Sequence, residues 1–148
     1  MYNWFETEIK YEKTAEEGKI VKVSQIDLVD ALSFTEAEAR ITKEMQPFIS
    51  GEFVVDSIKR ARINELMDKY DGDKLYKVKT IFISLDEEKG TSKRIAAQML
   101  VRANNIEEAR ANHDDGMKGS MATWEAEIIK ETKIDSIYKY DAPTDSKK

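Results

Sequence analysis

The chain has 148 residues, of which 41% are hydrophobic and 36% are charged, and its 24 basic and 29 acidic side chains give a formal net charge of −5. This length suits one compact domain or two packed half-domains, and the acidic balance argues against a surface that is basic throughout. The absence of cysteine excludes disulfides and thiolate metal sites, and no apolar run reaches the roughly 18 residues of a membrane-spanning helix.

The first predicted element is a hairpin. Apolar and charged residues roughly alternate over residues 4–11, which predicts a strand with one solvent-facing side. A polar connection ending at Gly18 leads into a return strand over residues 19–31. The apolar positions of that strand change phase near Ser24 and Gln25, which predicts a bulge there.

A helix follows the hairpin, and its start has a clear signal. Ser33 and Glu36 have the spacing of a capping box, in which each side chain satisfies a backbone amide at the helix start. Five apolar residues then recur every three or four positions and predict one stripe facing the sheet: Phe34, Ala37, Ile41, Met45 and Phe48. Pro47 and Gly51 predict the end of the helix.

The segment over residues 52–67 is ambiguous by itself, because its middle part could be helical by propensity. Its counterpart in the second half, residues 127–138, is rich in β-branched residues and predicts a strand. Both segments are therefore interpreted as long, bent strands.

The second half repeats the same plan. Strands are predicted over residues 75–85 and 92–103, joined by a turn at 86–90. Asn105 and Glu108 reproduce the helix cap at an offset of 72. The predicted inward stripe of the second helix contains four residues: Ile106, Ala109, His113 and Met117.

An internal repeat connects the two halves. Residues 28–31, Leu-Val-Asp-Ala, recur at 100–103 as Leu-Val-Arg-Ala, and the similarity continues through both helices. Phe53 and Trp124 correspond at an offset of 71. A period of this kind requires one structural plan for both halves.

The repeat predicts an α+β fold built from two tandem strand-strand-helix-strand units, residues 1–70 and 71–141, packed as one domain. Their strands are expected in one largely antiparallel sheet of about six, with both helices on one face and a pseudo-twofold axis between the halves. Residues 142–148 are expected to form a flexible tail.

Basic residues concentrate on the strands that correspond in the two units. The candidate nucleic-acid-binding residues are Lys59, Arg60, Arg62, Lys77, Lys79, Lys130 and Lys133. Aromatic residues are interleaved with them, namely Trp4, Phe5, Tyr11, Tyr76, Phe82 and Trp124. Cations beside exposed rings on a sheet suit single-stranded nucleic acid, because phosphates pair with charge and bases stack on rings. The alternative is that the rings belong to the core and the charges solvate the outer face.

No pattern indicates catalysis. His113, the single histidine, corresponds to Ile41 of the first unit, which predicts an interior histidine with a satisfied ring nitrogen. The acidic runs at 16–17 and 86–88 fall in predicted turns and lack calcium-loop spacing. No phosphate loop, nucleophile elbow or zinc motif is present. The chain is therefore predicted to be no enzyme and to hold no metal or cofactor.

Three stretches, residues 4–6, 28–40 and 53–59, resemble an uncharacterised family of small proteins from Bacteroidetes bacteria and their phages. The resemblance implies no activity and no functional residues. It implies a phage-linked protein located in the cytoplasm, that of the host cell if the protein is phage-encoded, without a membrane partner.

Two functions remain open from the sequence. The first is non-enzymatic binding of single-stranded nucleic acid on an open sheet face. The second is a structural or protein-interaction role, as a homo-oligomer or with other phage proteins, through sheet edges or the same face.

Overall fold

The structure, a computed structural model, describes residues 3–139, so the predicted tail over 142–148 lies outside the described residues. The fold is mixed α+β, as predicted. In chain order the elements are β1 (Asn3–Thr14), β2 (Ile20–Ala31), α1 (Phe34–Met45), β3 (Phe53–Arg60), β4 (Glu65–Met67), β5 (Lys74–Asp86), β6 (Thr91–Ala103), α2 (Ile106–Gly116), β7 (Thr123–Glu131) and β8 (Ile134–Tyr138).

The strands form two four-stranded sheets, and the predicted single sheet is wrong. Sheet A has the order β3-β1-β2-β8, and sheet B has the order β4-β6-β5-β7. The chain divides accordingly into unit 1, with described residues 3–61 and 134–139, and unit 2, residues 62–133. In each unit a hairpin is followed by a helix and by a strand that pairs with the first hairpin strand. That the two units arose by duplication of one sequence, and that a twofold axis relates them, remain predictions.

The two segments interpreted as long bent strands are each two strands in different sheets. After β3 the chain leaves sheet A and enters sheet B as β4, parallel to β6, and after β7 it returns to sheet A as β8, parallel to β2. The side chain of Asn64 helps to fix the first crossing, because its Oδ1 accepts from the Gln98 N–H at 2.7 Å. Such a long-range bond has no signature in local sequence.

The β1–β2 hairpin pairs from Asn3↔Ala31 to Thr14↔Ile20 without a register shift, so the bulge predicted near Ser24 and Gln25 is wrong. The apolar phase changes because the last part of β2 is buried on both faces. Val29 packs in the core under α1, while Leu28, on the opposite face, is also fully buried.

Both predicted helix caps are present. The Ser33 hydroxyl accepts from the Glu36 N–H at 3.1 Å, and Glu36 reaches back to the N–H of Leu32 at 2.7 Å. In α2, Asn105 Oδ1 accepts from the Glu108 N–H at 2.8 Å. Each cap satisfies an amide that has no partner within its helix.

Each helix packs on the core of its own sheet. In unit 1 the buried cluster comprises Phe5, Ile9, Val29, Ala31, Ala37, Ile41 and Met45. In unit 2 it is rich in methionine and comprises Met67, Val78, Ala97, Met99, Val101 and Met117. The predicted stripes are not buried over their whole length. Phe48 is exposed, and Phe34 and Ile106 at the helix starts are half-exposed, although the Phe34 ring still contacts Phe5. Phe48 lies three residues after Met45, the last residue of α1, so helix geometry no longer directs its side chain toward the sheet. No helix among residues 3–139 is long and apolar enough to cross a membrane.

Candidate functional site

The seven predicted binding residues are divided between the units. Lys59 and Arg60 belong to unit 1 and point to opposite faces of β3. The Lys59 ammonium lies 3.4 Å from Glu6 on the face away from α1. The Arg60 guanidinium lies over the ring of Phe5, with Cζ 5.8 Å from the ring centroid. These two cations therefore form no common site.

The other five residues are in unit 2. Lys77, Lys79 and Lys130 share the face of sheet B away from α2, because Val78 and Ile129 between them pack against the core. Arg62 and Lys133 are exposed and lie in the connections before β4 and after β7. The structure thus brings three of the predicted residues together on two neighbouring strands.

Lys77 and Lys130, named here the lysine pair, are direct partners in the β5–β7 register. Within the described residues neither ammonium has a carboxylate within 4.0 Å, whereas Lys79 lies 2.9 Å from Glu127. Like charges directly opposite each other on a sheet are destabilising. The lysine pair is therefore a local positive site on which an anion would relieve repulsion.

The aromatic rings of unit 2 are not beside the lysine pair. Tyr76, Phe82 and Trp124 lie on the α2 face, where they contact the core. Phe82 and Trp124 are register partners on β5 and β7. The predicted interleaving of cations and rings on one face is therefore wrong in sheet B, and a base cannot stack on these rings while its phosphate contacts the lysine pair.

His113 is fully buried, as its position in the repeat predicts. Its Nε2 lies 2.8 Å from the hydroxyl oxygen of Thr80, and its ring packs edge-on against Trp124, with centroids 5.2 Å apart. Burial lowers the pKa of this imidazole, outweighing the opposing effect of Asp114. The geometry describes a neutral core histidine.

This burial gives a pH dependence to unit 2. As pH falls below the ordinary histidine pKa, the unfolded chain takes up a proton that folded His113 resists, so the free energy of unfolding decreases. We expect the decrease to be smaller in His113→Gln, measured by urea unfolding at several pH values between about 5 and 8. Parallel pH curves for the two proteins would contradict it.

Unit 1 carries concave surface that the sequence did not indicate. An open cleft of about 750 Å³ lies at the end of the β1–β2 hairpin, next to the connection into β3. A second groove, of about 600 Å³, runs between α1 and β3 and is named here the α1–β3 groove. Its lining residues are Glu38, Thr42, Gln46, Ile49, Gly51, Glu52, Phe53, Val54 and Val55.

The α1–β3 groove has an apolar floor and an acidic rim. Phe53 and Val55 pack partly against the core below it, while the charged residues of its lining are Glu38 and Glu52. Val54 is 62% exposed. The polar stripe at positions 38, 42 and 46 of α1 was a sequence signal for this side of the groove. The other side is β3, and the sequence did not show that β3 forms the edge of sheet A.

The sequence also provided no indication that one acidic residue of β2, Asp27, is buried. Asp27 is fully buried on the α1 face of β2, and its carboxylate accepts a hydrogen bond from Gln25 Nε2 at 2.9 Å. Burial raises its pKa to about 6, with a further contribution from Asp135. Within residues 3–139, no three His, Asp or Glu side chains are grouped to hold a metal ion.

The chain belongs to a family described as Domain of unknown function (DUF4494), whose model matches residues 3–140. No curated protein and no solved structure matches the chain. The predicted membership in an uncharacterised family is thus confirmed, and it transfers no activity and no functional residue.

Proposed function

We propose that this member of a family without an assigned function is a non-enzymatic protein that binds the phosphate backbone of single-stranded nucleic acid through unit 2. The lysine pair carries the proposal. It consists of two lysines directly opposite each other on neighbouring strands, with no carboxylate within salt-bridge distance of either ammonium among the described residues. Phosphate contacts dominate the affinity of nucleic-acid binding and require no base-specific geometry.

The surroundings of the lysine pair favour a single strand. Ile128 is half exposed on the same face of β7 as Lys130. Unpaired bases present apolar faces that can pack on such a side chain, whereas a duplex keeps them stacked inside. Lys133 is also exposed, in the connection after the end of β7.

Lys130→Glu tests this proposal with two readouts. The substitution places a carboxylate opposite Lys77, so we expect stability to rise by about 0.2–1 kcal/mol. At the same time, affinity for a labelled single-stranded oligonucleotide should fall. The slope of log affinity against log salt should decrease by about 0.7 for each phosphate that the variant no longer neutralises. Fluorescence anisotropy and chemical unfolding provide the two measurements.

Lys59→Glu is the matched control. It makes the same change in net charge on the edge strand of sheet A, but it opposes Glu6 and breaks an ion pair. We expect it to leave oligonucleotide affinity unchanged and to lower stability slightly. Absence of oligonucleotide binding by the unmodified protein at low salt, or an equal reduction of affinity in both variants, would contradict the proposal.

A second candidate function is a structural or protein-interaction role, which exposed apolar side chains in unit 1 favour. They are Ile20, Phe48 and Val54, each more than 60% exposed. Exposed apolar groups around a concave surface are typical of protein-binding sites. A phage-linked role in the host cytoplasm belongs to the same proposal. Light scattering over a concentration series tests self-association.

A further inference from the structure

The outer edge of β3 is open to another strand. β3 is the end strand of sheet A, so the peptide groups along its outer side have no strand partner among residues 3–139. Val54 on this strand is 62% exposed. Such an edge is a template for pairing with an extended segment.

The charges along this edge change sign from one end to the other. Near the start of β3, Glu52 and Glu38 form the acidic rim of the α1–β3 groove. At the other end of the strand lie Lys59 and Arg60, both in contact with β1: Lys59 lies 3.4 Å from Glu6, and Arg60 lies on the α1 side above the ring of Phe5. An antiparallel copy of the same edge would set each basic end against the other copy's acidic end.

We propose that a second copy of the chain binds along the outer edge of β3 in antiparallel register, joining the two A sheets into one sheet of eight strands. The inference rests on the second candidate function and is independent of nucleic-acid binding. A twofold axis near the middle of the strand places Phe53 opposite Arg60 of the second copy. In the single chain the Arg60 guanidinium lies over Phe5 of β1, so in the dimer it turns away from this ring to reach Glu38 of the other copy, on the same side of the sheet.

The charge pattern selects a second copy over other occupants. An edge that is acidic at one end and basic at the other complements itself, which is the requirement of an isologous interface. β7, the corresponding edge of sheet B, carries Glu125, Glu127 and Glu131 against Lys130 and has no such polarity. Because both copies use the same strand, the contact closes at two chains.

Sedimentation velocity on the full chain tests the proposal. We expect a reversible shift from the 17.0 kDa monomer to twice that mass as concentration rises. Because one strand edge buries less than about 1,200 Å², the dimer should be weak and visible in the upper micromolar range. Glu38→Lys and Arg60→Glu should each raise the dimer dissociation constant at least tenfold.

A charge exchange makes the test specific. The double variant Glu38→Lys/Arg60→Glu should recover most of the dimer affinity, because the ends are again complementary. Glu16→Lys, in the exposed turn after β1, is the control for net charge and should leave the dimer unchanged. Far-UV circular dichroism verifies that each variant is folded.

A strictly monomeric unmodified protein at millimolar concentration would overturn the proposal, as would a double variant no better than the single variants. Oligonucleotide anisotropy on Glu38→Lys separates the two proposals. We expect this variant to lose dimerisation and to keep the binding that depends on Lys130. Loss of both together would overturn the independence of dimerisation from nucleic-acid binding.

Discussion

Phe5→Ala is expected to lower the free energy of unfolding of unit 1 by about 3–5 kcal/mol. Phe5 is fully buried at the centre of the cluster formed by β1, β2 and α1. Its ring also packs edge-on against Phe34, with centroids 4.9 Å apart, and supports the Arg60 guanidinium. Removing the ring leaves a cavity between sheet and helix that the surrounding side chains cannot fill. Urea unfolding followed by circular dichroism measures the loss.

Phe48→Ala is the matched control for this substitution. Phe48 is 76% exposed in the turn after α1, so the same chemical change should alter the free energy of unfolding by less than about 0.5 kcal/mol. Equal effects of the two substitutions would show that Phe5 is not packed in the core of unit 1.

Asp27→Asn is expected to stabilise the protein at neutral pH by up to about 3 kcal/mol. The carboxyl of Asp27 has a pKa of about 6 in the folded protein and 3.8 as the reference value. Burial disfavours its charged form, and ionisation above pH 6 therefore costs the folded state more than the unfolded state. Asparagine keeps the shape and a hydrogen-bond acceptor for Gln25, but it has no charge to bury.

The pH range of this effect follows from the two pKa values. Well below pH 3.8 the carboxyl is protonated in both states and carries no penalty. As pH rises from about 4 to about 6, only the unfolded state ionises freely, so the stability of the unmodified protein decreases and stays lower above that range. Asp27→Asn should lack this decrease.

The measurement is urea unfolding at pH 4 to 8, with Asp71→Asn as the control, since it removes an exposed carboxylate from unit 2. A gain in stability for Asp27→Asn that is the same at pH 4 and pH 8 would be evidence against a buried ionising group. A loss at both pH values would indicate that the carboxylate hydrogen bonds outweigh desolvation.

The two buried titrating groups act in opposite directions. His113 makes unit 2 less stable as pH falls, whereas Asp27 makes unit 1 less stable as pH rises. Both side chains are fully buried, and a shifted pKa in such a place indicates burial as readily as function.

Local signals predicted the elements that depend on neighbouring residues. Ser33 with Glu36 and Asn105 with Glu108 determine where the helices start, because the bonds of a cap join residues three or four apart. The two hairpins followed from alternation around short polar turns. The interior position of His113 followed from its correspondence with Ile41, which is also buried.

The candidate sites could not be predicted in the same way. Lys77 and Lys130 are more than fifty positions apart in sequence and face each other only because β7 pairs with β5 in one register. The rings of Phe82 and Trp124 were expected beside these cations, yet strand alternation places them on the other face. A shift of one residue in register would have exchanged those faces.

The amino-acid sequence by itself determined the α+β class, the two hairpins, both helix starts and the buried part of each helix's inward face. Only the tertiary structure decided that there are two sheets and that β3 and β7 form edges. It also decided that the chain changes sheet twice, from β3 in sheet A to β4 in sheet B and from β7 in sheet B to β8 in sheet A. The physical reason is the range of the interactions: caps and turns are satisfied within a few residues, whereas strand partners are selected by hydrogen bonds and burial between distant segments.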